Sequence, residues 1–288
     1  MSVIITPASL SDLTTFGIGG RANTIIVSGP NQIARIAKKL AESGKKTTVI
    51  GNGSNIIASD IGYDGVVIIT NKMLGATWWR NGNTAIIKAD CGVSLTRLAK
   101  DAYDRGFSGL EWAEGIPATL GGAIVGNAGA FGGYISDVVK KVKTTGGSYS
   151  NKKCHFGYRE SIFKHNSEIV LKAELRLTKG NKTEIGRKMH EYAERRRLSQ
   201  PIGKSAGSIF KKHIDKDGNI IPAGALIESA GLKGLRVGGA VVSPKHANFI
   251  INEADATAKD VVTLIDKVIE RVKEVYGITL ETEVVYLK

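Results

Sequence analysis

Residues 115–133, GIPATLGGAIVGNAGAFGG, contain seven glycines and no charged residue, and the uncharged run continues to Ser136. The chain is otherwise well charged, so this stretch needs a reason. A membrane span is excluded, because Pro117, Asn127 and the glycines would leave backbone polar groups unpaired in hydrocarbon. A packed helix is disfavoured, because each glycine costs about 1 kcal/mol relative to alanine. What remains is a loop-rich surface where the backbone comes close to something flat or anionic.

A second glycine motif lies upstream. GNGSN, Gly51–Asn55, follows the short apolar segment TTVI at 47–50. Successive backbone N–H groups after a strand can form a nest for pyrophosphate, with Ser54 and Asn55 adding side-chain donors. The same five residues also read as an ordinary tight turn. Two close-approach surfaces together fit one dinucleotide with a flat ring system. The pyrophosphate would sit on Gly51, Asn52, Gly53, Ser54 and Asn55. The ring would lie along Gly115–Ala130, which includes Gly115, Ile116, Pro117, Thr119, Gly121, Gly122, Ala123, Asn127, Ala128 and Gly129.

Around these motifs the chain alternates strands and helices. Segments 24–27 and 47–50 read as strands flanking the helix PNQIARIAKKLAESG, whose Ile33, Ile36, Ala37 and Leu40 recur at helical spacing and which Gly44 ends. This is a β-α-β unit. YDGVVIIT reads as a strand, and NTAIIKADCGVSLTRLAKDAYDRG as strand, turn and helix. DVVKKVKTT and SEIVLKAELRLTKG read as strands of a second lobe. The charged helix TEIGRKMHEYAERRRLSQ ends before Pro201 and leads into a third region. The helix TAKDVVTLIDKVIERVKEVYG and a last strand, ITLETEVVYL, complete the chain.

The 288 residues suit two or three domains, with a net charge of +13 that points to an anionic partner. The basic residues are dispersed and not interleaved with stacking aromatics, which argues against nucleic acid. No apolar run reaches membrane-spanning length and the N-terminus lacks a basic region before an apolar core, so membrane insertion is not expected and a cytoplasmic protein is. Two cysteines, Cys91 and Cys154, make no disulfide framework. The five histidines show no metal-ligand spacing, so no metal site is expected. Two further motifs fail on context. GIGGRA at 17–22 precedes the first strand, where a dinucleotide fingerprint needs a strand before it. GKSAG at 203–207 follows a basic helix and Pro201, where a nucleophile elbow needs a strand.

A polar cluster gathers in the remaining motifs. FGYRES supplies Tyr158 and Arg159. SAGSIFKK supplies Ser208, Lys211 and Lys212. KHANFIIN supplies Lys245, His246 and Asn248, and LETEVVYL supplies Glu281 and Glu283. In an extended strand both glutamates face one side, and if that side is the core a buried carboxylate needs a partner or a job. Arg159 and Glu283 read equally as a structural ion pair, and Ser208 as a turn residue.

Taken in order, TTFGIGG, GNGSNIIASD, GLEWAEGIPATLGGAIVGNAGAFGG, FGYRES, SAGSIFKK, AGALIESAGLKG, VGGAVVSPKHANFIIN and LETEV resemble the UDP-N-acetylenolpyruvoylglucosamine reductases nearly end to end. These are MurB-type flavoenzymes of peptidoglycan precursor synthesis, and the resemblance is to their shorter subclass. It implies an α+β fold: a two-lobed FAD-binding domain of the vanillyl-alcohol-oxidase/PCMH type, with lobes at 1–72 and 73–197. A smaller α+β substrate-binding domain follows at 198–278, and a strand at 279–288 returns to the active site. It implies that NADPH reduces FAD, and that the flavin then gives a hydride to C3 of the enolpyruvyl group of a UDP-sugar. Ser208 would supply the closing proton, with a lysine nearby to help so weak an acid. Arg159 would hold the substrate carboxylate. Glu283 would hydrogen-bond the developing acid, which requires it protonated and its pKa raised. Tyr158, Lys211, Lys212, Lys233, His246 and Asn248 would bind substrate, and Arg196 would lie near the flavin. A monomer is expected. Two substitutions depart from the family: Lys212 replaces an asparagine that helps hold the nucleotide phosphates, and Gly126 replaces a common methionine. The stretch from Arg159 to Ser208 is also too short for the loop that carries a substrate-binding tyrosine in the longer subclass.

Overall fold

The computed structural model describes residues 4–288. They pack as two units, each around its own hydrophobic core. The first comprises Thr24–Asn52 and Gly65–Arg196 with the residues up to Thr6. The second comprises Pro7–Asn23, Gly53–Asp64 and Arg197–Lys288.

In the first unit, helix α1 (Pro30–Glu42) starts on a proline and buries Ile33, Ile36 and Leu40. Gly44, at φ +66°, takes the left-handed turn that ends it. The strand Thr47–Ile50 then pairs in parallel with Tyr63–Ile69, from Thr47↔Val66 to Ile50↔Ile69. Val27 N–H donates to Ile69 O at 3.0 Å, so Tyr63–Ile69 lies between the two strands of the β-α-β unit. Val66–Ile69 are all buried whereas Ile26 and Val49 are exposed, so the strand that is apolar on both faces takes the inner position.

The larger sheet is antiparallel, in the order 148–150, 139–144, 170–179, 84–90, 76–81. Its middle strand, Val170–Lys179, alternates strictly at Leu171, Ala173, Leu175 and Leu177, which are buried. Helix α2 (Leu95–Asp104) is capped by Ser94 Oγ, which accepts from Arg97 N–H at 3.2 Å, and buries Leu95, Leu98, Ala99 and Ala102.

The glycine run departs from a simple loop. It contains helix α3 (Leu120–Val125), the hairpin Gly129–Ala130/Gly133–Tyr134 and the single turn α4 (Ile135–Val138). The helix forms despite its two glycines because a Cβ at Gly121 would stand 2.9 Å from Cys91 Cβ. Glycine lets the helix backbone lie directly on the end of strand 84–90, and Leu120, Ala123 and Ile124 are buried by that approach. Propensity is outweighed by packing. Helix α5 (Lys182–Ser199) is charged throughout and buries only Ile185.

In the second unit, helices α6 (Ala223–Ser229) and α7 (Ala258–Tyr276) accompany a three-stranded antiparallel sheet, 236–237, 240–242 and 250–252. Thr257 and Asp260 form a capping box on α7, and the Asp60 carboxylate adds two acceptors, to Ala258 N–H at 2.8 Å and Lys259 N–H at 3.2 Å. Phe16 and Ile18 are buried in this core. The expected strand over 278–287 is shorter: only Val285–Leu287 is regular, parallel to Ile56–Ala58. Upstream the chain changes partner, since Lys211 N–H donates to Glu281 O and Glu283 N–H to Ile209 O.

Candidate active site

The first unit brings Gly51 and Asn52 against the glycine run. A Cβ at Gly51 would overlap Thr119 Oγ1, and the Asn52 side-chain amide donates to Pro117 O at 3.1 Å. Thr119 in turn caps α3, accepting from Gly122 N–H. Gly115, Pro117 and Gly122 are exposed, and Cβ atoms built at Gly122 and Gly126 meet nothing nearer than 3.6 and 3.5 Å. The run therefore presents an accessible, side-chain-free backbone surface beside the end of strand 47–50. A flat ring system needs such a surface, and the residues fit FAD on that ground.

Gly53 is glycine for two reasons. Its φ is +63°, the left-handed residue a nest requires, and a Cβ would overlap Leu13 O and crowd Thr14. Of the side chains assigned to the cofactor, Asn127 and Asn55, like Asn52 and Thr119, bond to the protein itself. Asn127 is buried and donates to Gly157 O at 2.8 Å, while its Oδ1 accepts from Ser136 N–H. Asn55 donates to Glu283 O at 3.2 Å within the second unit. Their contribution is to hold backbone in place.

Arg159 sits at φ +55° in the tight turn Gly157–Glu160. Its Nη2 donates to Gly129 O at 3.2 Å, and its guanidinium lies 5.3 Å from the Tyr158 ring centre. Asn127 anchors the same turn, so Tyr158 and Arg159 are held against the glycine run. Arg196 reaches the start of that run: Nε donates to Glu114 O at 2.9 Å and Nη2 to Trp112 O at 3.2 Å. Burial pushes its pKa down, and Glu114 partly offsets this.

In the second unit, Ser208 bridges Phe249. The segment Ser208–Lys211 lies between residues 248–249 and 281–283. Ile209 N–H donates to Asn248 O and Phe210 N–H to Asn248 Oδ1, while Asn248 Nδ2 donates back to Phe210 O, both side-chain bonds at 2.9 Å. Asn248 is buried and both ends of its amide are spent on Phe210. It is a clamp on the Ser208 segment. Glu283 is half-buried and Glu281 exposed, so neither is the buried carboxylate that strand alternation allowed. Glu281 instead accepts from Lys211 Nζ at 2.8 Å.

Lys233 Nζ donates to Glu228 Oε1 at 2.5 Å beside His246. Burial lowers the pKa of His246, with the Lys233 charge adding to the effect. Its Nδ1 accepts from Asn248 N–H at 3.2 Å, so the neutral ring carries its proton on Nε2. Lys212 is half-buried in the same unit. Sequence reasoning missed Glu228 as the partner of Lys233. The five-residue spacing across the end of α6 was the available signal. A cavity of about 290 Å³ in the first unit is lined by Trp78, Arg80, Arg105 and Phe107 among others, none of them a candidate residue.

Two family models match the chain: the C-terminal domain of UDP-N-acetylenolpyruvoylglucosamine reductase over residues 198–287, and the FAD binding domain over residues 22–146. A UDP-N-acetylenolpyruvoylglucosamine reductase of Caldicellulosiruptor saccharolyticus is 41% identical over 287 residues, 96% of this chain and 90% of its own length. The reductase of that name from Carboxydothermus hydrogenoformans is 41% identical over 290 residues, 98% of this chain and 93% of its own. The crystal structure of the Thermus caldophilus reductase superposes with a TM-score of 0.82 at 35% identity, covering 100% of both chains. The chain belongs to the UDP-N-acetylenolpyruvoylglucosamine reductase family.

Proposed function

We propose that the protein is an FAD-dependent reductase of peptidoglycan precursor synthesis. It uses NADPH to reduce the enolpyruvyl group of UDP-N-acetylglucosamine enolpyruvate to UDP-N-acetylmuramate. The observation that carries this reading is the full-length relationship to reductases of that name, which includes both the FAD-binding and the C-terminal family blocks.

FAD held there would supply two-electron chemistry, the means of moving a hydride between NADPH and the enolpyruvyl group. The protein's own residues do the rest. Gly51, Asn52 and the run from Gly115 to Gly129 offer backbone to the cofactor, with Gly53, Ser54 and Asn55 as the phosphate nest. Arg159 binds the substrate carboxylate and stabilises charge as it builds there, being a fixed cation with planar donors. Ser208 delivers the proton to C2, and Glu283 hydrogen-bonds the developing acid. Tyr158, Lys211, Lys212, Lys233 and His246 bind the sugar nucleotide. Lys211 and Lys233 are each held by a glutamate, which limits their rotamers before substrate arrives.

The net charge of +13 suits two polyanionic substrates, whose encounter a positive field accelerates. Both substrates are nucleotides, which supports a cytoplasmic site of action. Among the described residues no helix is long and apolar enough to cross a membrane. The test is an anaerobic visible spectrum of the purified protein. Flavin bands should bleach on adding NADPH and return on adding the enolpyruvyl substrate. Bands that bleach and never return would remove the substrate assignment, and a colourless protein that takes up no FAD would remove the whole reading.

A further inference from the structure

Phe131 occupies the tip of the hairpin that closes the glycine run, between Gly129–Ala130 and Gly133–Tyr134. Its φ is +52° and that of Gly132 is +86°, the two left-handed residues of a two-residue turn. A phenylalanine is strained in that conformation, where glycine or asparagine is not. Its ring is 38% exposed, so core burial does not account for it either. Helix α5 does. The ring stacks on Tyr192, with centres 4.5 Å apart and planes 5° from parallel, and the Arg196 guanidinium carbon lies 4.9 Å from the Phe131 ring centre. Tyr192 and Arg196 are four residues apart and therefore share one face of the helix.

That same guanidinium donates to Trp112 O and Glu114 O, and a Cβ on Gly115 would meet its Cδ at 3.2 Å. An arginine side chain has four rotatable bonds, and two hydrogen bonds to a loop do not by themselves hold it. The aromatic pair supplies the missing restraint, on a helix face where Ile185 is buried and partly buried Met189 and Tyr192 pack against the core of the first unit. We propose that Phe131 and Tyr192 are positioning residues for Arg196: the stack fixes the guanidinium, the guanidinium fixes the carbonyls of Trp112 and Glu114, and these set the backbone at the entry to the cofactor-binding run. The inference rests on the reading of that run as FAD-binding backbone, and it explains why a strained position carries an aromatic ring.

The test is titration of apoprotein with FAD, read by flavin fluorescence and visible circular dichroism, with thermal unfolding measured alongside. Tyr192→Ala should raise the FAD Kd about tenfold and alter the flavin dichroism, the size expected for losing an aromatic pair that also carries a cation–π contact. Tyr192→Phe should restore wild-type binding, because the stack needs the ring and not the hydroxyl. Phe131→Gly removes the ring and relieves the left-handed strain together. It should weaken FAD binding without lowering the melting temperature, which separates positioning from folding. Arg196→Lys should match Tyr192→Ala, and combining the two should add nothing further. Wild-type FAD affinity in both Tyr192→Ala and Phe131→Gly would overturn the proposal while leaving the functional reading intact. So would Tyr192→Phe behaving like Tyr192→Ala. A wild-type protein that binds no FAD would overturn the functional reading, and the proposal with it.

Discussion

Replacing Asn248 with alanine separates a clamp from a substrate contact. The side chain is 8% exposed and pairs with both the N–H and the C=O of Phe210, at 2.9 Å each. Phe210 is itself 2% exposed, so truncation leaves two backbone groups in a place water does not freely reach. Each buried unsatisfied group costs about 1–3 kcal/mol, which makes the total roughly 2–6 kcal/mol. At about 4 °C per kcal/mol for a unit of about 120 residues, the transition of the second unit should move down by roughly 8–24 °C. The assay is thermal unfolding with steady-state kinetics at a temperature where the variant is folded. The KM for the enolpyruvyl sugar nucleotide should change less than about threefold. The kcat should fall, because Ser208 lies two residues from Phe210 on the segment that Asn248 holds. A KM raised tenfold or more with an unmoved melting temperature would refute the clamp and return Asn248 to the substrate.

Three further outcomes are expected. Ser208→Ala should leave flavin reduction by NADPH nearly intact and slow reoxidation by substrate by about 10²-fold or more; stopped-flow measurement of the two half-reactions checks this, and equal losses in both would deny Ser208 the proton. His246 has a folded pKa held below its ordinary 6.5 by burial, so the unfolded chain binds its proton more readily. Its contribution to stability is complete above about pH 6.5 and is lost as pH falls below that value through the folded pKa. His246→Asn, which keeps an acceptor for Asn248 N–H, should flatten the acid side of the stability profile. Burial raises the Cys91 thiol to about 12 and the Cys154 thiol to about 11, so neither should react with a thiol reagent at pH 8 until the protein is denatured.

Much of the architecture was legible because it is local. Ile33, Ile36 and Leu40 mark α1 by their spacing, and a Gly44 that must turn left-handed marks its end. Val261, Leu264, Ile265, Val268 and Val272 do the same for α7, and the alternation from Leu171 to Leu177 marks the central strand. The order of the motifs along the chain carries the family resemblance by itself. The sequence also singled out GNGSN and the glycine run as backbone surfaces, and the structure sets Gly51 and Asn52 against Thr119 and Pro117.

Decisions that depend on what lies across from a residue were not legible. Glycine density argued against a helix at 120–125, yet α3 forms because Cys91 stands where the Gly121 Cβ would be. Alternation placed Glu281 and Glu283 on one strand face, yet the chain changes partner between Thr282 and Val285 and buries neither. The pairing of Asn248 with Phe210 was not legible, because a polar residue in a motif carries no sign of where its amide points, and Phe210 is 38 residues away. Phe16, Ile18 and Asp60 join the second unit by filling its core and capping α7. Sequence periodicity records which side of an element is apolar. It does not record which partner covers that side, because the covering contact is made between segments far apart in the chain, and only the folded structure brings them together.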